Sequence, residues 1–528
     1  MSTLLSQLIT DRAAATPEAT ALLHKQQSLS YRQLNNAVNH FANLLEQLNI
    51  RAGDRVAVYL PKQFETVIAL FGALHFGAVM VPINPQLRAS QVEHILNDSE
   101  ASILVTSQQR WQGLHRPQPS ELKHLTNVVL IDRLSENLRS AVLPSTIKMV
   151  EWALNVEESR LSTPSNDHLA LAALLYTSGS TGKAKGVMLS HQNMVEGAKS
   201  VAQYLENTSS DRLLALLPLS FDYGFSQLTT AFLSGASVVL LDYLLPRDVI
   251  KAINHYQVTG VAAVPPVWIQ LSELDWPESL PSLRYWTNSG GAMPTTTLQR
   301  LQQVMPNAAP YLMYGLTEAF RSTYLPPERV IDKPTSMGKA IPNAEILVLN
   351  EHGNPVAAGE QGELVHRGVH VAQGYWQAPE KTAERFKPLP HWVTGGISEI
   401  AVYSGDQVTV DDEGFLYFVS RNDEMIKSSG HRISPQEIEE VIYQIPDIAE
   451  SAVLGVPHPV LGQGILLLYC PKEGKELAQN DIQTHCRQQL PNYMQPHASI
   501  KQTTLPKNAN GKIDRAHLRQ VYNDYFTA

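Results

Sequence analysis

The 528-residue chain has only two cysteines, Cys470 and Cys486, and they form no Cys-x-x-Cys pair. So few thiols cannot staple a chain this long, which excludes a disulfide scaffold and makes a reducing cytoplasm the expected location. None of its 18 histidines falls in His-Glu-x-x-His spacing, so no protein-held catalytic metal is expected. A basic block is also missing. With 41 Lys and Arg against 50 Asp and Glu, the formal net charge is −9, which argues against a nucleic-acid partner. The N-terminal stretch MSTLLSQLITDR has no basic start and meets Asp11 and Arg12 early, so it does not read as a signal peptide. One charge-free run, Tyr223 to Leu241, is 19 residues long, enough by count to cross a bilayer. It carries Ser226, Gln227, Thr229, Thr230, Ser234, Gly235 and Ser237. A buried helix, a glycine turn and a strand are the expected reading, and no membrane span.

What is present is the composition of a globular enzyme, 43% hydrophobic and 17% charged. A chain of this length is too long for one core and should divide into at least two domains. Leu34, Val38, Phe41, Leu45 and Leu48 mark one face of a helix. Strand-like runs at 55–60, 78–84, 102–106, 127–131, 237–241 and 260–266 then alternate with helical segments such as 64–77. Such alternation predicts an α/β fold with layered, largely parallel sheets covered by helices. From about residue 338 the texture turns to short β-like runs, and after Arg421 it becomes an αβ pattern again, with helices at 435–444 and 480–489 and strands at 450–456 and 465–470. The expected organisation is a large N-terminal domain, 1–422, with a β-rich subdomain at about 338–422. A small mobile α+β C-terminal domain, 423–528, follows.

The most informative stretch is LAALLYTSGSTGKAKGVM, from Leu171 to Met188. A strand over about 169–176 delivers Thr177, Ser178, Gly179, Ser180, Thr181, Gly182, Lys183, Ala184, Lys185 and Gly186 as an exposed loop. Glycines let the backbone turn N–H groups toward an anion, while hydroxyls and lysines add donors and charge, so the loop suits phosphate. A Walker A loop needs four residues between its glycines; only two separate Gly179 from Gly182.

TSGSTGKAKGVMLSH resembles the signature loop of the adenylate-forming superfamily, which comprises AMP-forming acyl-CoA synthetases, amino-acid adenylation enzymes and luciferases. Further signatures follow in order: NSGGAMP (288–294), MYGLTEAF (313–320), YSGDQV (403–408), VSRNDEMIKSSGHRISPQEIEE (419–440) and PKNANGKID (506–514). FDYGFSQLTTAFLSGA and YGLTEAFRSTYLPPE are similar, more narrowly, to the ligases that accompany bacterial exosortase systems, with stand-alone amino-acid adenylation enzymes next.

The resemblance implies a cytoplasmic ligase using ATP, Mg²⁺ and a pantetheine thiol, from CoA or a carrier protein. The phosphate loop would hold the β- and γ-phosphates, Thr317 the α-phosphate and Glu318 Mg²⁺. Gly291 and Ala292 would line the adenine, Tyr314 would stack on it, and Asp406 would take the ribose hydroxyls with Arg421 nearby. Ser404 and Ser420 stand where the family has Thr and Gly. Lys512 would be the catalytic lysine and Asp423 the hinge. Rotation about it would withdraw Lys512 and bring Ser429, Gly430, His431 and Arg432 to the site, Gly430 leaving room for the thiol.

Asp222 matches the aspartate that grips the α-ammonium in amino-acid adenylation enzymes, and an Asp there is equally the N-cap of a helix. Tyr223, Ser226, Ala263, Thr287, Ser289, Met313, Arg321 and Ser322 are expected to line the acyl pocket. Several are small and polar, whereas a long fatty chain would want an apolar wall. Arg321 is read either as facing a second anionic group or as pairing with a structural carboxylate. Three alternatives to an acyl ligase stay open: an enzyme loading a small amino acid such as proline onto a carrier protein, a luciferase-like oxygenase, and a non-catalytic nucleotide-binding homologue.

Overall fold

The computed structural model describes residues 3–114, 122–133, 147–159, 167–177, 183–278, 280–421, 425–472, 474–506 and 513–527. Two large sheets carry the first two thirds of the chain. One has seven strands, in the order Lys148–Glu151, Asn127–Leu130, Ala101–Thr106, Arg55–Tyr59, Val79–Pro82, Leu171–Thr177 and Lys185–Ser190, parallel except for the last pair. The other has nine. Its parallel centre runs Ala309–Tyr314, Tyr285–Asn288, Gly260–Ala263, Arg212–Ala215, Ser237–Leu240, Thr20–His24, with antiparallel strands at both edges.

Central strands such as Val79–Pro82, Ser237–Leu240 and Gly260–Ala263 are buried throughout, as continuous apolar runs in helix-covered parallel strands should be. The helix Tyr31–Gln47 presents Leu34, Val38, Phe41 and Leu45 to the main core, and Ser30 closes its start with a capping box. The charge-free run becomes the helix Asp222–Ser234, a turn at Gly235 and the strand Ser237–Leu240. Among the described residues no helix is long and apolar enough to cross a membrane.

An antiparallel sheet of five strands follows: Ala344–Leu349, Gln361–Gly368, Ile400–Val410, Phe386–Pro388 and Leu416–Arg421. A fourth sheet is built on the long pair Ile448–His458 and Gly462–Pro471, joined by Ile426–Ser428, His431–Ile433 and Ala498–Lys501. With the helices Pro435–Ile442 and Gln479–Gln489 it encloses its own core of Ile433, Ile438, Ile442, Val453, Leu467 and Ile482.

Three local expectations are corrected. The loop was expected to include Thr177, Lys185 and Gly186, but Thr177 ends one strand and Lys185 starts the next, paired across the hairpin. Burial of Val187 and Leu189 on the second strand, together with packing of Gly186 against the Tyr176 ring, extends the ladder that far. The strand expected over 260–266 stops at Ala263, because Pro265 opens a helix with Val264 as its N-cap. Asp222 is the first residue of its helix and Phe221 is the N-cap.

Candidate functional site

A cavity of about 630 Å³ opens where the ends of the two large sheets meet the C-terminal domain. Of the residues singled out in the sequence, Thr177, Lys183, Ala184, Asp222, Tyr223, Ser289, Thr317, Glu318, Arg321, Ser429, Gly430, His431 and Arg432 lie on its wall. Ser178, Gly179, Ser180, Thr181, Gly182, Asp423 and Lys512 lie outside the described residues.

At the phosphate-loop end, Thr177 Oγ1 is buried without a hydrogen-bond partner. Lys185 sits beside the wall with its ammonium 3.6 Å from the centroid of the Tyr375 ring. Burial lowers its pKa to about 8 against the pull of Glu318, with Arg432, Arg385 and Lys381 lowering it further. Glu318 follows Thr317 in the single turn Thr317–Ala319 and is 4% exposed. Its carboxylate accepts a 2.6 Å bond from the Tyr375 hydroxyl. Burial alone would raise its pKa, yet Arg432, Lys185 and that hydroxyl bring it below the ordinary value. Glu318 is therefore an ionised carboxylate at neutral pH in a field of cations. Tyr375 escaped the sequence reading, since its partner stands 57 positions away and nothing in the spacing joins them.

Tyr314 and Asp406 are buried and joined by a 2.5 Å hydrogen bond, and Asp406 faces Arg421 across the strand pair. With Gly291 and the exposed Ala292 they sit beside the cavity rather than on its wall. Ser226, Ala263, Thr287, Met313 and Ser322 are buried behind it. Ser226 Oγ takes Arg321, Thr287 Oγ1 meets the Tyr223 hydroxyl, Met313 Sδ meets the Tyr204 hydroxyl, and Ser322 Oγ meets His366 Nδ1. Only Tyr223, Ser289 and Arg321 of the expected acyl set, with Asp222, reach the open space. Burial pushes the Asp222 pKa up to about 6, Arg321 and the Tyr223 backbone N–H limiting the rise.

The C-terminal domain closes the cavity with the hairpin formed by Ile426–Ser428 and His431–Ile433. Its two turn residues, Ser429 (φ 53) and Gly430 (φ 78), both take positive φ, as two-residue hairpin turns of this hand require. A Cβ on Gly430 would lie 2.8 Å from three side-chain carbons of Val264, so glycine lets the tip press on the N-terminal domain. His431 stacks on Tyr493, centroids 3.8 Å apart. The helix Ala89–Asp98 and the residue before it add a clasp: Arg88 donates to the Arg487 and Leu490 carbonyls at 3.0 and 3.3 Å, and Gln91 Nε2 donates to Glu437 at 2.8 Å. These partners were invisible in the sequence.

The residues fit a nucleotide and, through it, a divalent cation. Among the described residues no group of three or more His, Cys, Asp or Glu could hold a metal alone. Mg²⁺ carried by nucleotide phosphates needs only one or two protein carboxylates, and Glu318 is a carboxylate on this wall.

Residues 9–376 match a family model described as AMP-binding enzyme, and residues 437–512 match one described as AMP-binding enzyme C-terminal domain. A long-chain-fatty-acid–CoA ligase of Bacillus subtilis (strain 168) is 28% identical over 97% of this chain and 94% of its own length. Syringomycin synthase SyrB1 of Pseudomonas syringae pv. syringae is 30% identical over 97% of this chain and 81% of its own. Among solved structures, a double mutant of o-succinylbenzoate CoA synthetase (MenE) from Bacillus subtilis, bound with its product analogue OSB-NCoA, superposes with a TM-score of 0.82 at 28% identity, covering 97% of each chain. The structure of MenE in complex with its acyl-adenylate intermediate OSB-AMP gives 0.66 at 26% identity over the same coverage.

Proposed function

The chain belongs to the AMP-binding enzyme family, and from that membership we propose that it joins a carboxylic acid to a pantetheine thiol through an acyl-adenylate. The observation that carries the reading is the shared cavity wall, where Thr177 and Lys183 of the phosphate hairpin, Thr317 and Glu318, and Gly430 and Arg432 of the C-terminal domain face one space.

A carboxylate is a poor electrophile, and its attack on the α-phosphorus of ATP brings two anions together. Cations and donors must take up charge as it moves toward pyrophosphate. Residues 177–185 hold the β- and γ-phosphates, Thr317 donates at the α-phosphate, and Lys512 bridges it to the acid. Glu318 holds Mg²⁺, which when bound offsets phosphate charge. Gly291, Ala292 and Tyr314 receive the adenine, and Asp406 with Arg421 receives the ribose. After adenylation the C-terminal domain turns about Asp423, exchanging Lys512 for the Gly430 hairpin. The thiol attacks the acyl carbon, AMP leaves, and one centre serves both steps without crowding.

A second reading, activation of an amino acid for a carrier protein, is favoured by Asp222 Oδ1, buried without a hydrogen-bond partner. ATP–pyrophosphate exchange across plain and amino acids, followed by thioester capture with CoA and with holo-carrier protein, tests both. Acid-dependent exchange followed by thioester formation is the expected result; exchange with no acid would refute the reading.

A further inference from the structure

Arg321 is 2% exposed yet stands on the cavity wall. Its guanidinium carbon lies 4.5 Å from the Tyr223 ring centroid, and Nη2 donates to Ser226 Oγ at 3.2 Å. Its Nε has no hydrogen-bond partner, and no described carboxylate forms an ion pair with it. Asp222, on the same wall and 4% exposed, likewise has an unpartnered Oδ1. The two charges influence one another without touching.

The backbone is strained to place Arg321 there. Phe320 has φ 57 and ψ −65, and the Arg321 N–H bonds to the Ala319 carbonyl at 2.6 Å. This is a γ-turn of positive φ, a rare and costly conformation for a bulky residue. The Phe320 ring is seated over Gly197, where any Cβ would come within 2.3 Å of it. Had the position only to be filled, Leu or Met would do so without desolvating a charge.

A buried cation and a buried anion on one cavity wall, each with an unpartnered polar atom, set the ligand's chemistry by charge balance. An acid with an ammonium alone would satisfy Asp222 and leave Arg321 without a counter-charge. One with only a second carboxylate would do the reverse, and a plain acyl chain would leave both open. Resting on the acid-activating reading above, we propose that the substrate is a short amino dicarboxylic acid, its ammonium on Asp222 and its second carboxylate on Arg321. Ser226, bonded to Arg321 and off the cavity wall, stands behind it, so the tail ends at Arg321.

The test is ATP–pyrophosphate exchange by the full chain with aspartate and glutamate, their amides, succinate and glutarate, and alanine and proline. One amino dicarboxylate is expected to exceed its own amide by about 100-fold or more in kcat/KM, the scale at which a site built for a polar group rejects an analogue lacking it. Arg321→Met should bring that ratio close to one, while Arg321→Lys keeps part of it. If Arg321→Met does not fold, the wild-type acid-to-amide ratio decides alone. Equal use of acid and amide, or best exchange with a plain acid or a neutral amino acid, overturns this inference and leaves the acid-activating reading standing. Exchange with no acid overturns both.

Discussion

Replacing Asp222 by Asn removes a charge while preserving the size of the side chain, so it isolates the electrostatic part of substrate binding. If an ammonium sits there, Asp222→Asn leaves it buried without its counter-charge, at about 3–5 kcal/mol. The expected loss in amino-acid exchange is on the order of 100-fold or more, with plain acids unaffected. The same carboxyl gives a pH signature. Its pKa is raised to about 6 by burial, so the charged form that holds an ammonium dominates above pH 6 and is lost as pH falls through that value. The pH profile of kcat/KM for an amino acid should fall on the acid side near 6, and that limb should vanish in Asp222→Asn. An unchanged limb would assign the titration elsewhere. At this scale the sequence was legible in placement, since Glu318 and Asp222, both drawn from motifs, stand on one cavity wall. The γ-turn at Phe320 was not legible, because nothing about phenylalanine favours positive φ, and its seat over Gly197 and the placing of Arg321 emerge only in three dimensions.

At the scale of elements, the hairpin tip at Gly430 is where backbone conformation and domain contact meet. Gly430→Ala places a Cβ 2.8 Å from branched carbons of Val264 at a φ of 78, which side chains other than glycine tolerate poorly. Overpacking of this kind costs about 1–3 kcal/mol. Thioester formation from supplied acyl-adenylate should therefore fall about 10-fold or more, with acyl-adenylate formation largely kept. Trimming the neighbour in Gly430→Ala/Val264→Ala should recover part of the loss. Equal loss in both half-reactions would remove the hairpin from the thiol step. Hydrophobic periodicity revealed most helices and buried strands here, since burial is what it encodes. It misplaced the ends at Thr177, Lys185 and Ala263, where a hairpin ladder or a proline cap decides the boundary.

For the whole molecule, the proposed function places two half-reactions at one cavity, which requires the C-terminal domain to present different residues in turn. Lys512→Ala should abolish acyl-adenylate formation and spare transfer from supplied acyl-adenylate. Asp423→Pro, which would restrict rotation at the proposed hinge, should do the opposite, and single-turnover assays of each half-reaction separate them. Parallel loss in both variants would contradict the division of labour. The sequence carried the two-domain plan through its changes of texture, but not the docked arrangement, which depends on contacts such as Arg88 with Arg487 across nearly 400 positions. The most direct measurement uses substrate acid labelled with ¹⁸O in its carboxylate. Attack on the α-phosphorus transfers one labelled oxygen to AMP, because the thiol breaks the acyl carbon–oxygen bond. Mass spectrometry of a completed reaction should find AMP carrying one ¹⁸O per turnover; unlabelled AMP, or label in orthophosphate, would contradict an acyl-adenylate mechanism.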